Sequence, residues 1–193
     1  MLKSFTNNLI LASKSPRRKT LLEGLGVPFS VKTLPVDEDF PASMSLERVP
    51  EFLAEKKARV YQKELMNDEV VLTADTVVIV EGKILNKPRD KEEAFNMLNM
   101  LSGRMHHVIT GVCLASYQHL YSASDTTKVY FRQLEADEIS FYVENYSPFD
   151  KAGAYGIQEW IGYIGVEKIE GSFYTVMGLP LHLVYKMLEQ SRF

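Results

Sequence analysis

The sequence predicts an α/β or α+β fold built on a largely mixed sheet. Three observations carry this expectation. Short runs rich in Val, Ile and Leu read as strands, Val70–Val80 being the most β-like. Other segments carry cap residues and apolar positions at helical spacing. The two kinds of segment do not alternate in a strict β–α–β rhythm, which favours a mixed sheet over an all-parallel one.

In chain order, Leu9–Leu11 is an apolar run short enough for a buried strand. The polar turn Ser13-Lys14-Ser15 leads into a helix, with Ser15 as N-cap and Pro16 at the first position. Leu21, Leu22 and Leu25 form its apolar face, and Gly26 is the expected stop. Phe29–Leu34 reads as a short strand before Pro35 and the acidic segment Asp37-Glu38-Asp39. The next helix begins near Ser45 or at Pro50 and runs to about Leu65. Val70–Val80 follows as a strand, Glu81-Gly82-Lys83 as a turn, and Ile84-Leu85 as a return strand.

Asp90 caps the next helix, and Glu93 is spaced to complete a capping box. Ala94, Met97, Leu98 and Leu101 give it a core-facing stripe, and Ser102-Gly103-Arg104 closes it. Strands are expected at His107–Ala115, His119–Ser122 and Thr126–Arg132, and a helix at Ala136–Asn145. A glycine-punctuated segment spans Asp150–Gln158, and Tyr163–Ile169 reads as a strand. After the loop Gly171–Pro180, a closing helix presents Leu181, Val184, Tyr185 and Leu188.

Composition narrows the function classes. The 193 residues are 46% hydrophobic and 24% charged, as in ordinary soluble globular chains, and no linker or repeat divides them. One domain over residues 1–193 is expected. The net charge of −3 provides no global basic field for nucleic acid or an anionic membrane, so any anion site must be local. The lone Cys113 excludes an internal disulfide and a cysteine zinc cage, and its apolar surroundings point to a buried thiol. The stretch Met1–Asn8 has no signal-peptide layout, and no apolar run is long enough to span a bilayer, so a cytoplasmic protein is expected.

The chemistry-bearing positions are few. A helix N-terminus with free N–H groups and its dipole favours an anion, and Arg17 and Arg18 there add guanidinium forks suited to phosphate; taken alone, the stretch reads more simply as a capped helix with solvated arginines. Asp75 lies in the middle of an apolar strand, where a carboxylate costs desolvation unless it is paired or functional; the alternative is an exposed strand end. Glu38 and Asp150, in loops, offer oxygen ligands that with Asp75 suit a hard divalent cation; each alone also reads as a solvated carboxylate. Lys87 sits in a loop stiffened by Pro88, whereas Lys57 and Lys151 read equally as surface lysines. His106 and His107 have no acid or nucleophile at a diagnostic spacing, and Arg104 is placed to act at a helix end. The chain lacks Gly-x-x-x-x-Gly-Lys-Ser/Thr, Gly-x-Gly-x-x-Gly, His-Glu-x-x-His and Gly-x-Ser-x-Gly. The residues thus point to a phosphate-bearing small molecule held by Arg17, Arg18 and Lys87, with carboxylates for a metal. They do not name a reaction.

Six motifs in order carry a resemblance. Ser13-Lys14-Ser15-Pro16-Arg17-Arg18, Ala74-Asp75-Thr76, Lys87-Pro88, Ser102-Gly103-Arg104, Asp150–Gln158 and Val176-Met177-Gly178-Leu179-Pro180 resemble the Maf family of nucleoside triphosphate pyrophosphatases. The resemblance runs from Leu9 to about Leu188. It implies an inosine triphosphate pyrophosphatase-like fold, a long mixed sheet with helices in two lobes around a cleft, and a homodimer. It implies Mg²⁺- or Mn²⁺-dependent hydrolysis of a nucleoside triphosphate to monophosphate and pyrophosphate. Arg17, Thr76 and Gln158 match the subgroup acting on dTTP and UTP rather than the 7-methyl-GTP subgroup.

The roles that follow are Ser13, Arg17, Arg18, Lys57 and Lys87 on the phosphates, and Glu38, Asp75 and Asp150 on the metal. Asp75 is expected to orient or deprotonate the attacking water, while Arg17, Thr76 and Gln158 set base preference. One amide, that of Gln158, can donate to a pyrimidine O4 and accept from N3–H, a pair that cytosine inverts. A 7-methyl-GTP pyrophosphatase is the alternative within the enzyme class. A nucleotide-binding division regulator without turnover is the alternative outside it.

Overall fold

β1, β3 and β5 form close to where the apolar runs predict strands, and later segments depart from expectation. The computed structural model describes residues 5–190, so part of the Met1–Asn8 stretch lies outside the described residues. β1 (Asn8–Leu11) and β2 (Phe29–Val31) lie parallel on either side of α1 (Pro16–Glu23) in the sequence, the arrangement a helical crossover permits. β2 is shorter than expected, because residues past Val31 leave the sheet. α1 ends at Glu23, earlier than its apolar pattern suggests, and Gly26 then adopts a φ of +67°, as glycine readily does.

The Ser45/Pro50 ambiguity has a two-part answer. Ser45 precedes a 3₁₀ turn over Leu46–Arg48, and α2 (Val49–Gln62) continues from it with Pro50 inside its first turn. β3 (Glu69–Val80) pairs parallel with β1 and antiparallel with β4 (Lys83–Leu85). Glu81 and Gly82 between β3 and β4 both have positive φ, at 48° and 71°, which the tight hairpin requires.

α3 (Lys91–Leu101) buries Ala94, Met97, Leu98 and Leu101, the stripe read from the sequence. Its capping box is only half formed. Asp90 accepts from the Glu93 N–H at 2.8 Å, whereas the Glu93 carboxylate accepts from the Arg89 N–H at 2.7 Å and the Arg89 Nε at 3.0 Å instead of from the Asp90 N–H. Arg104 donates to the Met100 carbonyl at 3.2 Å and so caps the last turn of α3, as expected. A reciprocal box appears instead at α4 (Ala136–Tyr146), between Glu135 and Glu138.

β5 (Met105–Ala115) matches its expected range closely. The two strands expected at His119–Ser122 and Thr126–Arg132 are one strand, β6 (Leu120–Phe131). The intervening polar residues do not break the strand, because half-exposed β positions tolerate them. Tyr163–Ile169 also departs from expectation. α5 (Trp160–Gly165) occupies its first part, and only β7 (Val166–Glu170) is extended. A short helix, α6 (Phe173–Val176), interrupts the following loop, and α7 (Leu181–Gln190) closes the described chain with Val184 and Leu188 buried.

The seven strands form one mixed sheet in the order β2-β1-β3-β5-β6-β7, with β4 pairing β3. By contacts the chain divides into two compact units. The first comprises residues up to Asp75, Thr110–Asp125 and the chain from Gly178 onward; the second comprises Thr76–Ile109 and Thr126–Met177. β3, β5 and β6 contribute residues to both.

In the first unit, Ile10, Ala54, Ala58, Tyr61, Val71 and Cys113 pack together. Gly111 of β5 faces the start of α2 so closely that a Cβ would lie 2.3 Å from the Glu51 nitrogen. Burial pushes the Cys113 thiol up to about 12, so it is an inert core group. In the second unit, α3, α4 and the 154–161 segment pack around Leu98, Phe131, Tyr142 and Ile161. His106 is fully buried there, 2.8 Å from the Tyr155 hydroxyl and edge-on to Phe131. Its burial lowers its pKa to about 3, which keeps it neutral and fits the structural role.

Candidate active site

In the first unit, the β1–α1 turn is built as expected. The Ser15 hydroxyl accepts from the Arg18 N–H at 3.4 Å, and the Ser13 hydroxyl accepts from the Ser15 N–H at 3.2 Å. Pro16 takes the first helical position, so Arg17 and Arg18 fall in the first turn of α1. Arg18 does more than the sequence indicates. Its Nε donates to the Gly178 carbonyl at 2.8 Å and its Nη1 to the Ala74 carbonyl at 2.9 Å. The guanidinium therefore ties the β1–α1 turn to β3 and to the segment before α7. Burial lowers its pKa from the ordinary arginine value, with the charge of Asp75 acting in the opposite direction.

Asp75 is not at an exposed strand end. It lies within the twelve-residue β3, and its side chain is only 13% exposed. Lys57, on α2, donates to Asp75 at 2.5 Å and lies 2.7 Å from Glu38. Two carboxylates far apart in sequence thus meet on one ammonium. The adjacent Lys56 holds Asp39 and lies 3.9 Å from Asp37, so α2 grips the whole acidic segment. Tyr61 anchors the start of that segment, accepting from the Leu34 N–H and donating to the Lys32 carbonyl. Thr73, polar and fully buried in β3, donates to the Ala54 carbonyl at 2.7 Å and fixes α2 against the strand that bears Asp75. The sequence signals Asp75 through its apolar neighbours. It carries no signal that Lys57 would find both acids.

Thr76, Lys87, Asp150 and Gln158 belong to the second unit. Lys87 is exposed beside the buried Pro88, in a loop whose Asn86 carbonyl accepts from the Gly153 N–H. Asp150 lies 2.7 Å from Lys151. Lys151 is not a surface lysine: its side chain is 9% exposed and also lies 3.2 Å from Glu159. Glu159 in turn accepts from the Tyr142 hydroxyl. Neither Tyr142 nor Glu159 stands out in the sequence, because their role depends on α4 meeting the 156–159 turn.

Gln158 lines a pocket of about 370 Å³ with Ile157, Gly162, Tyr163, Val166, Ile169 and Phe173. Its Oε1 is buried without a hydrogen-bond partner. A buried unpaired acceptor costs about 1–3 kcal/mol.

Among the described residues, no group of three or more His, Cys, Asp or Glu side chains is gathered to hold a metal. The donors on one point are Glu38 and Asp75, both hard oxygen ligands converging on a positive charge. This pair suits Mg²⁺, which is commonly bound by one or two carboxylates together with substrate phosphates. Asp150, in the second unit, is engaged with Lys151.

Among known proteins, a dTTP/UTP pyrophosphatase of Porphyromonas gingivalis is 53% identical over 184 residues, covering 94% of this chain and 92% of that protein. A dTTP/UTP pyrophosphatase of Bacteroides fragilis is 50% identical over 183 residues, covering 94% and 95%. Among solved structures, the Staphylococcus aureus Ham1 protein shares the fold with a TM-score of 0.57. It is 17% identical, and the match covers 96% of this chain and all of that one. Among the described residues, no helix is long and apolar enough to cross a membrane. The Maf-like protein model matches residues 8–191, nearly the whole chain, and this protein belongs to the Maf family.

Proposed function

We propose that this protein hydrolyses nucleoside triphosphates, preferentially dTTP and UTP, to the nucleoside monophosphate and pyrophosphate. The observation that carries the reading is the Glu38–Lys57–Asp75 group in the unit that also bears the β1–α1 turn. It combines a held, mid-strand carboxylate with a second acid and with a helix N-terminus suited to phosphate. The activity named for the similar proteins supplies the substrate class.

The triphosphate is strongly anionic, and Ser13, Arg17, Arg18, Lys57 and Lys87 are assigned to it. Arg18 already has two donors on carbonyls, which orients its guanidinium before any ligand arrives. Mg²⁺ or Mn²⁺ is assigned to Glu38 and Asp75, with Asp150 as a further carboxylate. When bound, the ion supplies charge neutralisation and polarises phosphoryl oxygens. Asp75 orients the water that attacks the α-phosphorus and takes its proton, and pyrophosphate leaves. Lys57, which holds Asp75 and Glu38 in one place, offsets charge that grows on the phosphoryl oxygens.

Base preference is assigned to Arg17, Thr76 and Gln158. The unpaired Oε1 of Gln158 is an acceptor for pyrimidine N3–H, and its Nε2 is the donor for O4. Cytosine presents the opposite pair, so dCTP would leave both groups mismatched. A single functional domain over residues 1–193, a homodimer, a cytoplasmic location and a role in cleansing the nucleotide pool complete the reading. Nucleic acid and membrane are not partners in it.

The test is pyrophosphate release from a nucleotide panel with Mg²⁺ or Mn²⁺, with and without EDTA. Release from dTTP and UTP, lost on chelation, is the expected result. Preference for 7-methyl-GTP would replace the substrate assignment. Binding without release from any nucleotide would overturn the enzymatic reading in favour of a regulator.

A further inference from the structure

We infer that Tyr142, Glu159 and Lys151 form a brace that positions the Gln158 amide, making base selection depend on residues that never touch the base. The inference rests on the assignment of Gln158 to base recognition. The brace itself stands on geometry within the second unit.

The turn carrying Gln158 is held on both sides. Before it, the Gly156 N–H donates to the Tyr142 hydroxyl at 3.0 Å. After it, that same hydroxyl donates to the Glu159 carboxylate. One phenol oxygen on α4 therefore fixes both flanks of Gln158, accepting from one and donating to the other. Lys151 holds the second carboxylate oxygen of Glu159 at 3.2 Å. The Tyr163 hydroxyl donates to the Gln158 carbonyl at 2.6 Å, and the Glu159 N–H closes the turn onto the Gly156 carbonyl.

Space is matched as closely as hydrogen bonding. A Cβ on Gly156 would stand 2.8 Å from the Glu159 carboxyl carbon and 3.0 Å from Gln158 Nε2. The absent side chain is what lets the Glu159 carboxylate and the Gln158 amide both lie against the Gly156 backbone. Gly162 of α5 approaches so closely that a Cβ on it would meet the Ile157 carbonyl at 1.9 Å. The turn thus sets where the Gln158 side chain leaves the backbone and lays its Nε2 against Gly156, and turning the amide over would exchange its donor and acceptor. An amide free to flip would accept uracil and cytosine patterns alike. A fixed one discriminates between them. The carboxylate of Glu159 has a further consequence. It needs the Lys151 ammonium to be tolerated at this depth, so the lysine is part of the same device.

The experiment compares Tyr142→Phe and Glu159→Gln with the parent protein and with Gln158→Ala. It measures kcat and KM for dTTP and dCTP, melting temperature, and the Gln158 side-chain amide resonances, assigned by their loss in Gln158→Ala. The brace predicts that dTTP-over-dCTP discrimination falls about tenfold in Tyr142→Phe, through KM for dTTP, with kcat changed less than about twofold. It predicts that the Gln158 amide resonances shift or broaden in both variants. A lowered melting temperature with unchanged discrimination and unchanged amide resonances would mean a purely structural cluster and overturn the inference. If Gln158→Ala keeps full discrimination, the base assignment itself fails and the brace with it. If Gln158→Ala loses discrimination while both brace variants keep it, only the brace fails.

Discussion

Lys57 and Lys151 each sit between two carboxylates, yet they are built for different work. Lys57 reaches from α2 to Glu38 in a loop and Asp75 in the middle of β3. Lys151 holds Asp150 beside it in the chain and Glu159 just beyond the same glycine-punctuated segment. The first group shares its unit with the arginine-bearing turn at the start of α1, and one of its acids, Glu38, is half-exposed. The second group continues inward, through Tyr142, into a packed core. An ion triad therefore does not announce its role by its chemistry. What surrounds it does: the charge of the Arg18 guanidinium in one case, a buried phenol and a backbone turn in the other.

That contrast can be broken by substitution. Asp75→Asn should lower pyrophosphate release by about 10³-fold or more, since the proposed function gives this one carboxylate both the base and the metal-ligand role. Its melting temperature should move by only a few degrees, because Lys57 retains Glu38 as partner. Activity within tenfold of the parent would strip Asp75 of its catalytic assignment.

Lys151→Met should show the reverse emphasis. Leaving Glu159, whose side chain is 20% exposed, without its cation costs about 1–3 kcal/mol, which lowers the melting temperature by roughly 2–12 °C in a chain of this size. A melting temperature unchanged in calorimetry would mean that Glu159 is not held by Lys151 in solution.

The same core supplies a pH prediction. His106 has its pKa depressed from 6.5 to about 3 in the folded protein, so between these values the unfolded chain binds the additional proton. Stability is thus fully present above about pH 6.5 and falls as the pH drops toward 3. His106→Asn should be less stable at neutral pH, because it loses the ring packing against Phe131, yet show a flatter acid limb in urea titrations. An acid limb as steep as the parent's would assign the acid loss to other groups.

The smallest effect sharpens the comparison at the pocket. Gln158→Ala should weaken dTTP discrimination over dCTP by about 10–100-fold while changing kcat less, as expected for a group that reads the base rather than the phosphates. Equal losses of kcat on both nucleotides would move Gln158 from recognition to catalysis.

Much of this was legible in the residues. Ser15 and Pro16 mark the start of α1, the mid-strand position marks Asp75, and the apolar stripe marks α3, each through contacts within a few residues of the chain. Where the sequence reading failed, the deciding contact was remote or the local signal ambiguous. Tyr163–Ile169 looked extended because its apolar residues suit either state, and the close approach of Gly162 to Ile157 goes with the helical choice at α5. The Glu93 carboxylate left its capping box because Arg89 offered a charged partner. Lys151 looked like a surface residue because nothing beside it in the chain shows that Glu159, itself bonded to Tyr142, lies against it.

By itself, the sequence determined the local state of most segments, the absence of a global basic field, and the motifs that mark the family, since these depend on residue type and short spacing. Only the tertiary structure decided which charges meet. It brought Glu38 and Asp75 onto Lys57, turned two Arg18 donors onto carbonyls at Ala74 and Gly178, and left the Gln158 acceptor buried and unpaired. The physical reason is range. Caps and periodicities act over one or two turns, whereas ion pairs and close backbone approaches depend on how separate elements come together in space.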